Sequence, residues 1–374
     1  MIVKSLSLSQ FRNYESLQIQ FHPGINLILG DNAQGKTNLL EALYICAALR
    51  SFRTRKDSEL IRFSESHAYL NMQLESFHNA QPEKHVMEMV FQKDQKKRVK
   101  KNSLSQTRIS DVMGTFKAVL FSPEDLKIVK DSPAERRQFM DSEMIQVSPR
   151  YYHTLSQYQK IIKQRNQLLK TRHLTESELS VWDEQLAITG TQLMLQRSRF
   201  MTEIGSIAAV IHKQLTETKE TLHVGYEPGI TLPLAWEAWS TLKLSDHYMV
   251  VLSRYRQTDL MRQTTHKGAH RDDVHFSINQ MDVRQYGSQG QKRTVVLSLK
   301  LAVLEWMKEQ SGEYPVLLLD DVTSELDDRR QQELLNYLKP VQTMITSTHP
   351  LPNIPGDSDR GSVFRIHEGK LTNG

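Results

Sequence analysis

The hydrophobic pattern of the first fifty residues predicts three strands followed by a helix. Apolar and polar residues alternate over 6–8 and again over 17–21, which is the period of a strand with one covered face. A Pro-Gly turn at 23–24 leads into a short apolar run at 25–29. Residues 37–49 place their apolar positions at helical spacing. The predicted order at the amino-terminal end is therefore strand, strand, strand, loop, helix.

Strand periodicity continues in residues 68–121, around a basic segment. Apolar residues alternate with polar ones over 69–74 and 85–91, and residues 118–121 are all apolar. Between the second and third of these strands lies the segment 93–101, which contains six lysine or arginine residues. We expect this segment to be a solvated hairpin tip, and a DNA contact is the alternative.

Helical periodicity replaces strand periodicity at Pro149. Two long amphipathic patterns flank a polar break at 171–180, which predicts an antiparallel helical hairpin. The spacing of Ser180 and Asp183 resembles a capping box at the start of the second helix. Residues 205–262 are expected to be largely helical, with a looser segment at 226–233.

The carboxy-terminal part returns to alternating strands and helices. The apolar run at 316–319 is continuous, as in a strand buried on both faces. Helices are predicted at 295–307 and 330–338, and strands at 344–347 and 363–367. The chain is thus predicted to be an α/β protein interrupted by a helical insertion. Its segments are 1–122, the helical arm 123–265, and 266–374.

Composition and charge add loose limits. The chain has 374 residues and a net charge of +5, so it can bury a large core and permits an anionic partner. Cys46 is the single cysteine, which excludes a disulfide framework and favours a reducing, cytoplasmic compartment. It falls on the apolar face of the first helix, so we expect a buried structural thiol. No apolar run approaches the about 18 residues of a membrane span, and no signal-peptide pattern is present.

A complete phosphate-binding loop joins the third strand to the first helix. Residues 30–37 are Gly-Asp-Asn-Ala-Gln-Gly-Lys-Thr, which is the pattern G-x-x-x-x-G-K-T. Gly30 and Gly35 let the backbone wrap phosphates at a helix N-terminus. Lys36 reaches the β- and γ-phosphates, and Thr37 supplies a hydroxyl to Mg²⁺. Because a strand and a helix flank the motif, we assign an ATP site to this loop.

Two adjacent carboxylates end the buried strand near residue 320. Asp320 is placed to complete the Mg²⁺ shell, through water. Asp321 is placed to orient or deprotonate an attacking water molecule. For Asp321 the alternative is a cap on the following helix.

A third motif, Ser-Gln-Gly-Gln at 288–291, precedes a predicted helix. A serine and a glycine at a helix N-terminus form an anion site. Since the phosphate-binding loop already takes the phosphates from one side, a second such site makes best sense over the γ-phosphate of another subunit. The alternative is an ordinary N-cap.

These motifs together resemble the ABC-type ATPase heads of the SMC and Rad50 class, and within it the RecF family of bacterial recombination mediators. The resemblance covers essentially the whole chain. It is carried by residues 11–14, 30–37, 121–126, 136–137, 270–273, 286–291 and 319–327. It implies an ABC-type P-loop ATPase head with mixed sheets, interrupted by a helical arm subdomain.

The resemblance also implies roles for individual residues. Arg12 lies near the adenine end, Lys36 and Asp321 are catalytic, and Thr37 and Asp320 hold Mg²⁺. The signature acting in trans is Ser288, Gly290 and Gln291, and the D-loop contributes Ser324 and Asp327. The nucleotide-binding set is Arg12, Gly30, Asp31, Asn32, Ala33, Gln34, Gly35, Lys36, Thr37 and Asn38.

The chain departs from the ABC pattern at three positions. The lobe-joining loop, which usually carries glutamine, has Phe-Ser-Pro-Glu at 121–124, so its acting residue stays open. Asp321 replaces the usual glutamate, as in RecF proteins, which implies slow hydrolysis. Ala269 replaces a proline found in many of them. At the switch position we favour Thr348 over His349.

The implied function is ATP-dependent DNA binding in repair of single-strand gaps. ATP would join two chains into a homodimer on double-stranded or gapped DNA, with no membrane partner, in the nucleoid-associated cytoplasm. The implied partners are the RecR and RecO mediators and, indirectly, RecA and single-strand-binding protein.

Three other functions fit the sequence less well. A transporter ATPase subunit keeps its P-loop and signature much closer in sequence. An overcoming-lysogenisation nuclease needs a further acidic metal-binding domain. A cohesion protein of SMC type needs a far longer arm, at about 1.5 Å per helical residue.

Overall fold

A computed structural model describes residues 1–78, 81–171, 176–321, 340–350 and 361–372. The chain forms two compact units, which we call the head unit (Met1–Asp125 and Lys300–Gly374) and the arm unit (Leu126–Leu299). Residues 266–299, which the sequence assigned to the last segment, belong to the arm unit by packing. The division at 122 and 265 stays a prediction about domains.

The described strands and helices follow in chain order. The strands are β1 (Ile2–Phe11), β2 (Tyr14–Gln20), β3 (Ile25–Leu29), β4 (His67–His78), β5 (Gln81–Gln92), β6 (Arg98–Lys101), β7 (Leu104–Gln106), β8 (Ala118–Phe121), β9 (Leu222–Glu227), β10 (Asp273–Ile278), β11 (Met281–Asp282), β12 (Val316–Asp320), β13 (Thr343–Ser347), β14 (Gly361–His367) and β15 (Lys370–Thr372). The helices are α1 (Lys36–Ala48), α2 (Leu126–Lys130), α3 (Pro133–Val147), α4 (Pro149–Leu168), α5 (Glu176–Leu215), α6 (Thr241–Arg262), α7 (Val283–Tyr286) and α8 (Gln289–Ser311).

An antiparallel sheet in the head unit has the order β2-β1-β4-β5-β6-β7. Its register pairs Leu6 with Ile19 and Leu8 with Leu17, and all four side chains are buried. Apolar residues at every second position therefore line one face, as the sequence pattern predicted. The predicted strands of residues 1–121 are confirmed.

The second head sheet, of order β15-β14-β3-β13-β12-β8, positions the site. Strands β14, β3, β13, β12 and β8 run parallel. The strands β8, β12 and β13 are buried at every residue, as expected for a parallel sheet covered on both faces. In a parallel sheet the carboxyl ends meet at one edge, which is where such folds bind ligands. The loop after β3 and the residues ending β12 and β13 therefore meet there.

The arm unit contains the predicted antiparallel hairpin, formed by α4 and α5. Arg165 on α4 bonds Asp183 near the start of α5 at 2.6 Å, while Tyr151 accepts from Arg197 farther along α5 at 3.0 Å. These pairs run in opposite directions along the two helices, so the hairpin is confirmed.

The predicted capping box is wrong. Ser180 lies inside α5 and donates to the carbonyl of Ser177 at 2.9 Å.

A small sheet, of order β11-β10-β9, was not predicted. Strand β9 lies within the segment expected to be largely helical, and it pairs with β10 from Leu222 opposite Ile278 to Glu227 opposite Asp273. The two strands are far apart in sequence, so their pairing left no local signal. The expected helical character holds for the end of α5 and for α6.

The basic segment forms the turn after β5 and all of β6. Its Lys97 pairs with Asp57 at 3.1 Å, whereas Arg98 and Lys100 are exposed. Nothing in these contacts favours a DNA contact over the expected solvated tip.

Burial and hydropathy bear on two further expectations. Cys46 is buried, and burial raises the pKa of its thiol, as expected of a structural cysteine. Among the described helices, none combines the length and the apolar character that crossing a membrane would require.

Candidate nucleotide site

The two ends of the phosphate-binding loop are packed so closely that only glycine fits at them. Gly35 has φ +119°, and a Cβ there would lie 2.7 Å from the side-chain nitrogen of Asn13. A Cβ on Gly30 would lie 2.4 Å from the carbonyl oxygen of Ile366 on β14. Both contacts are closer than a carbon atom tolerates. The loop is thus packed tightly against the β1–β2 turn on one side and β14 on the other.

Lys36, the first residue of α1, is held within this loop. Its ammonium donates to the carbonyls of Gly30 at 2.5 Å and Asp31 at 2.9 Å. Burial lowers the pKa of Lys36, and the nearby carboxylates of Asp321 and Asp320 oppose that shift. An ammonium has three N–H donors, so a phosphate oxygen can be bound while part of this arrangement is kept.

Asp320 stands at the centre of a cluster that joins the loop to the end of β12. One carboxylate oxygen accepts hydrogen bonds from the hydroxyls of Thr37 and Thr346, each at 2.9 Å. Burial raises the pKa of Asp320, and these two hydrogen bonds act against the increase. The geometry brings the two predicted metal-binding side chains, Thr37 and Asp320, into contact.

The residues at this cluster fit a magnesium ion. One carboxylate and one hydroxyl are adjacent, and Mg²⁺ is usually held by one or two carboxylates together with substrate phosphates and water. In the described part of the chain, no group of three or more His, Cys, Asp or Glu side chains forms a metal site made of protein ligands alone. The buried charge on Asp320 is also the kind of group that a divalent cation stabilises.

Asp321 is the next residue, and its backbone is unusual. It has φ +52°, a left-handed conformation that costs energy for most residues but is more accessible to Asp and Asn. Its N–H donates to the hydroxyl of Thr346 at 2.9 Å. Asp321 is the first residue after β12, so the strand geometry ends at this position.

Thr346 is a site residue that was not predicted from the sequence. Thr348 was expected at the switch position, yet it is Thr346, on β13, that contacts Asp320 and the backbone of Asp321. The strand register explains this contact, since Asp320 is aligned with Thr346 across the two parallel strands. The switch role of Thr348 stays a prediction.

Arg12 and Asn38 take part in side-chain hydrogen bonds that connect the β1–β2 turn with α1. The guanidinium of Arg12 makes a bidentate ion pair with the buried carboxylate of Glu41, at 2.6 and 2.9 Å. Asn38 donates to Asn13 and accepts from Arg53. Glu41 lies on α1, so Arg12 ties the turn after β1 to the helix of the phosphate loop. Contact of Arg12 or Asn38 with a nucleotide stays a prediction.

The signature residues begin α8 in the arm unit as a reciprocal cap. The hydroxyl of Ser288 accepts from the N–H of Gln291 at 3.2 Å, and the side chain of Gln291 accepts from the N–H of Ser288 at 2.8 Å. This is a capping box. Gly290 has open space where a Cβ would stand, the nearest atom being 3.9 Å away. In the single chain, the motif at 288–291 therefore acts as an ordinary N-cap of α8. Its binding to a nucleotide held by another copy stays a prediction.

The remaining predicted positions add little to the site. The D-loop residues Ser324 and Asp327, and the helix predicted at 330–338, lie outside the described residues. In the lobe-joining loop, Ser122 donates its N–H to Asp125 at 2.7 Å, which identifies no acting residue.

Comparison with known proteins supplies the family. Residues 2–350 match the model of the RecF/RecN/SMC N terminal domain. A protein named DNA replication and repair protein RecF, from Alkaliphilus oremlandii (strain OhILAs), is 44% identical over 373 residues, which are 99% of this chain and 100% of that one.

Solved structures agree with this match. One described as the recombination mediator protein RecF-ATP in the RecFOR pathway is 33% identical, with a TM-score of 0.91 over 99% of this chain and 97% of that one. A SmcHead bound to the C-winged helix domain of ScpA is 15% identical, with a TM-score of 0.55 over 99% and 96%, and shows a shared fold alone. The expected ABC-type ATPase head with mixed sheets is confirmed, and the chain belongs to the RecF family.

Proposed function

We propose that this protein is an ATP-dependent DNA-binding recombination mediator. Two copies dimerise on ATP, bind duplex or gapped DNA, and help to load RecA at single-strand gaps. Slow, DNA-stimulated hydrolysis of ATP to ADP and phosphate then releases the DNA. The observation that carries the ATPase part is the contact of Thr37 with Asp320, because it assembles both halves of the nucleotide site from distant parts of the chain.

The residues of the head unit divide the work of hydrolysis. Loop N–H groups and Lys36 bind and orient the phosphates. Thr37 and Asp320 would hold Mg²⁺, which neutralises charge on the β- and γ-phosphates when bound. Asp321 orients the attacking water and takes its proton. Thr346 donates to the carboxylate of Asp320 and accepts from the backbone N–H of Asp321, so it fixes the first carboxylate and the backbone that carries the second.

The signature supports a site shared between two copies. Ser288 is exposed at the start of α8, and Gly290 leaves room for close approach of another group. An exposed helix N-terminus with a serine and a glycine can bind the γ-phosphate held on another copy's Lys36. In this proposal Ser324 and Asp327 line the same interface as the D-loop, and Thr348 senses the γ-phosphate as the switch.

The DNA and protein partners follow from the family. The relatives are named for DNA replication and repair, and one solved relative is described as part of a RecFOR pathway. We extend those roles to this chain, with double-stranded and gapped DNA, RecR and RecO as direct partners. RecA and single-strand-binding protein are indirect partners. The net charge of +5 is compatible with a polyanionic ligand.

Sedimentation velocity with a gapped duplex tests the proposal. With Mg²⁺ and ATP we expect the protein to sediment as a dimer and to comigrate with the DNA, and without nucleotide we expect a monomer that binds DNA weakly. ADP in place of ATP is the matched control, since it fills the loop but has no γ-phosphate for a second copy. A protein that stays monomeric with saturating ATP and DNA would contradict the clamp.

Asp321→Asn is expected to slow hydrolysis by about 100-fold or more, the usual contribution of a general base. Binding of ATP with Mg²⁺ should persist, because Asp320 and Thr37 are unchanged. Asn tolerates the left-handed backbone at φ +52° as well as Asp does, so the fold should be unaffected. Phosphate release measures the rate, and sedimentation should show a longer-lived dimer. If Asp321→Asn hydrolyses ATP at the wild-type rate, a residue other than Asp321 activates the water.

A further inference from the structure

The side-chain amide of Asn13 packs directly against the phosphate-binding loop. Asn13 lies in the turn between β1 and β2, and its Nδ2 donates to the carbonyl oxygen of Gln34 at 2.8 Å. Its Oδ1 accepts from the Nδ2 of Asn38, on α1, at 2.8 Å. A Cβ on Gly35 would stand 2.7 Å from the nitrogen and 2.9 Å from the oxygen of the same amide. Each polar atom of the Asn13 side chain is therefore bonded to the loop or to the helix that follows it.

A second turn closes on the same peptide from β14 and β15. The N–H of Gly369 donates to the carbonyl of Gln34 at 3.1 Å, and the N–H of Glu368 donates to the side chain of Gln34 at 2.5 Å. Gly369 has φ +71°, and a Cβ there would stand 2.6 Å from the carbonyl oxygen of Asn13. The two turns thus contact each other as well as the loop, and together they supply two donors to one carbonyl oxygen.

The direction of this carbonyl determines the direction of a neighbouring N–H. In a planar trans peptide the C=O of Gln34 and the N–H of Gly35 point to opposite sides. Gly35 is the N-cap of α1, where N–H groups bind anions. Glycine has little intrinsic preference between the orientations of such a peptide. Since Asn13 and Gly369 hold the Gln34 carbonyl on their own side, they select the orientation in which the Gly35 N–H points away from both turns.

We propose that Asn13 is a positioning residue of the phosphate site, and that it holds the Gln34 carbonyl outward so that the Gly35 N–H faces the phosphates of a nucleoside di- or triphosphate. Asn13 does not itself contact the nucleotide. This inference rests on the proposed nucleotide-binding function. A purely structural Asn13 would stabilise the β1–β2 turn without affecting affinity.

Asn13→Asp, Asn13→Ala and Gly369→Ala test the proposal by equilibrium binding of fluorescently labelled ADP with Mg²⁺. Asp has the same shape as Asn but presents an oxygen to the Gln34 carbonyl, and we expect its Kd to rise at least tenfold. A carboxylate also repels phosphate through space, so Asn13→Ala, which removes the donor without adding charge, decides the mechanism. We expect Asn13→Ala and Gly369→Ala each to raise Kd at least threefold.

The control is Asn102→Asp, in another turn of the head unit. Asn102 also holds a backbone group, the N–H of Val86 at 2.9 Å, and it is exposed. The Kd of the Asn102→Asp variant for labelled ADP should equal that of the wild type. Thermal unfolding is recorded for every variant, and binding is measured well below each midpoint. If Asn13→Asp does not fold, the other two variants carry the test.

The possible outcomes separate this inference from the proposed function. Wild-type protein that fails to bind ADP would refute the nucleotide site and the inference with it. Wild-type binding combined with an unchanged Kd in Asn13→Ala and Gly369→Ala would overturn the inference alone. The inference is overturned in the same way if the unfolding midpoint falls while Kd is unchanged, since the role of Asn13 is then structural.

Discussion

Lys36→Ala is expected to weaken ATP binding by at least about 30-fold while the fold is kept. The Lys36 side chain is buried, and two carbonyls of the loop hold its ammonium within the loop. Removing one partner of a buried charge contact costs about 2–5 kcal/mol, which raises Kd by roughly 30-fold to several thousand-fold. Alanine has the highest helix propensity, so α1 should still begin at this position. Isothermal titration with ATP and Mg²⁺ measures the effect.

Two further variants show whether the loss of ATP binding is specific to Lys36 and whether it depends on the charge of the side chain. Lys56→Ala removes an exposed lysine of the same unit and should bind ATP as the wild type does. Lys36→Arg keeps the charge, so it should retain binding, but its larger planar group should misplace the phosphates and abolish turnover. If Lys36→Ala binds ATP with wild-type affinity, this loop is not the phosphate site.

Most of the head fold could be predicted because its signals are local. The strand, loop and helix around residues 25–48 and the buried strand β12 each have a pattern that is complete within a short window. The sheet of β9 and β10 could not be predicted in this way. Its strands are joined by pairing between Leu222 and Ile278, and no window contains both. The sequence around β9 also lies between two helices, which favoured a helical interpretation.

The candidate site shows the same division. The motifs predicted Lys36, Thr37 and Asp320 as site residues, because each stands in its own short pattern, and the fold places Thr37 and Asp320 in contact. They did not identify Thr346 or Asn13, whose contacts depend on which strand or turn lies beside the loop. Arg12 illustrates a related limit. A motif can mark a residue as important, but the bidentate pair with Glu41 becomes evident only when the turn and α1 are placed together.

The false capping box at Ser180 has a similar physical origin. A serine three residues before an acidic residue is a good start signal only where the chain is otherwise free to begin a helix. Here Asp183 is buried and bonded to Arg165 on α4 at 2.6 Å, and Arg256 also donates to it at 3.0 Å. The acidic residue serves the packing of the hairpin. The signal was therefore a tertiary contact that resembled a local cap.

Ser288→Arg is expected to prevent ATP-dependent dimerisation while ATP still binds to the variant's own loop. An arginine at this exposed helix start adds bulk and charge where the proposed second copy would bring its γ-phosphate. It also removes the cap on Gln291, which costs about 1 kcal/mol. Ser240→Arg is the matched control, since Ser240 caps α6 of the same unit through the N–H of Lys243. That control should dimerise normally.

Mixing Ser288→Arg with Lys36→Ala gives the sharper result. In a mixed dimer, the Lys36→Ala copy provides an intact signature for the intact loop of the Ser288→Arg copy. The other composite site carries both defects. We therefore expect ATP-dependent heterodimers in sedimentation velocity, weaker than wild-type dimers because one of two sites is lost, although neither variant dimerises alone. A self-sufficient monomeric ATPase predicts no such rescue. If Ser288→Arg dimerises with ATP as the wild type does, the signature does not act across two copies and the clamp is wrong.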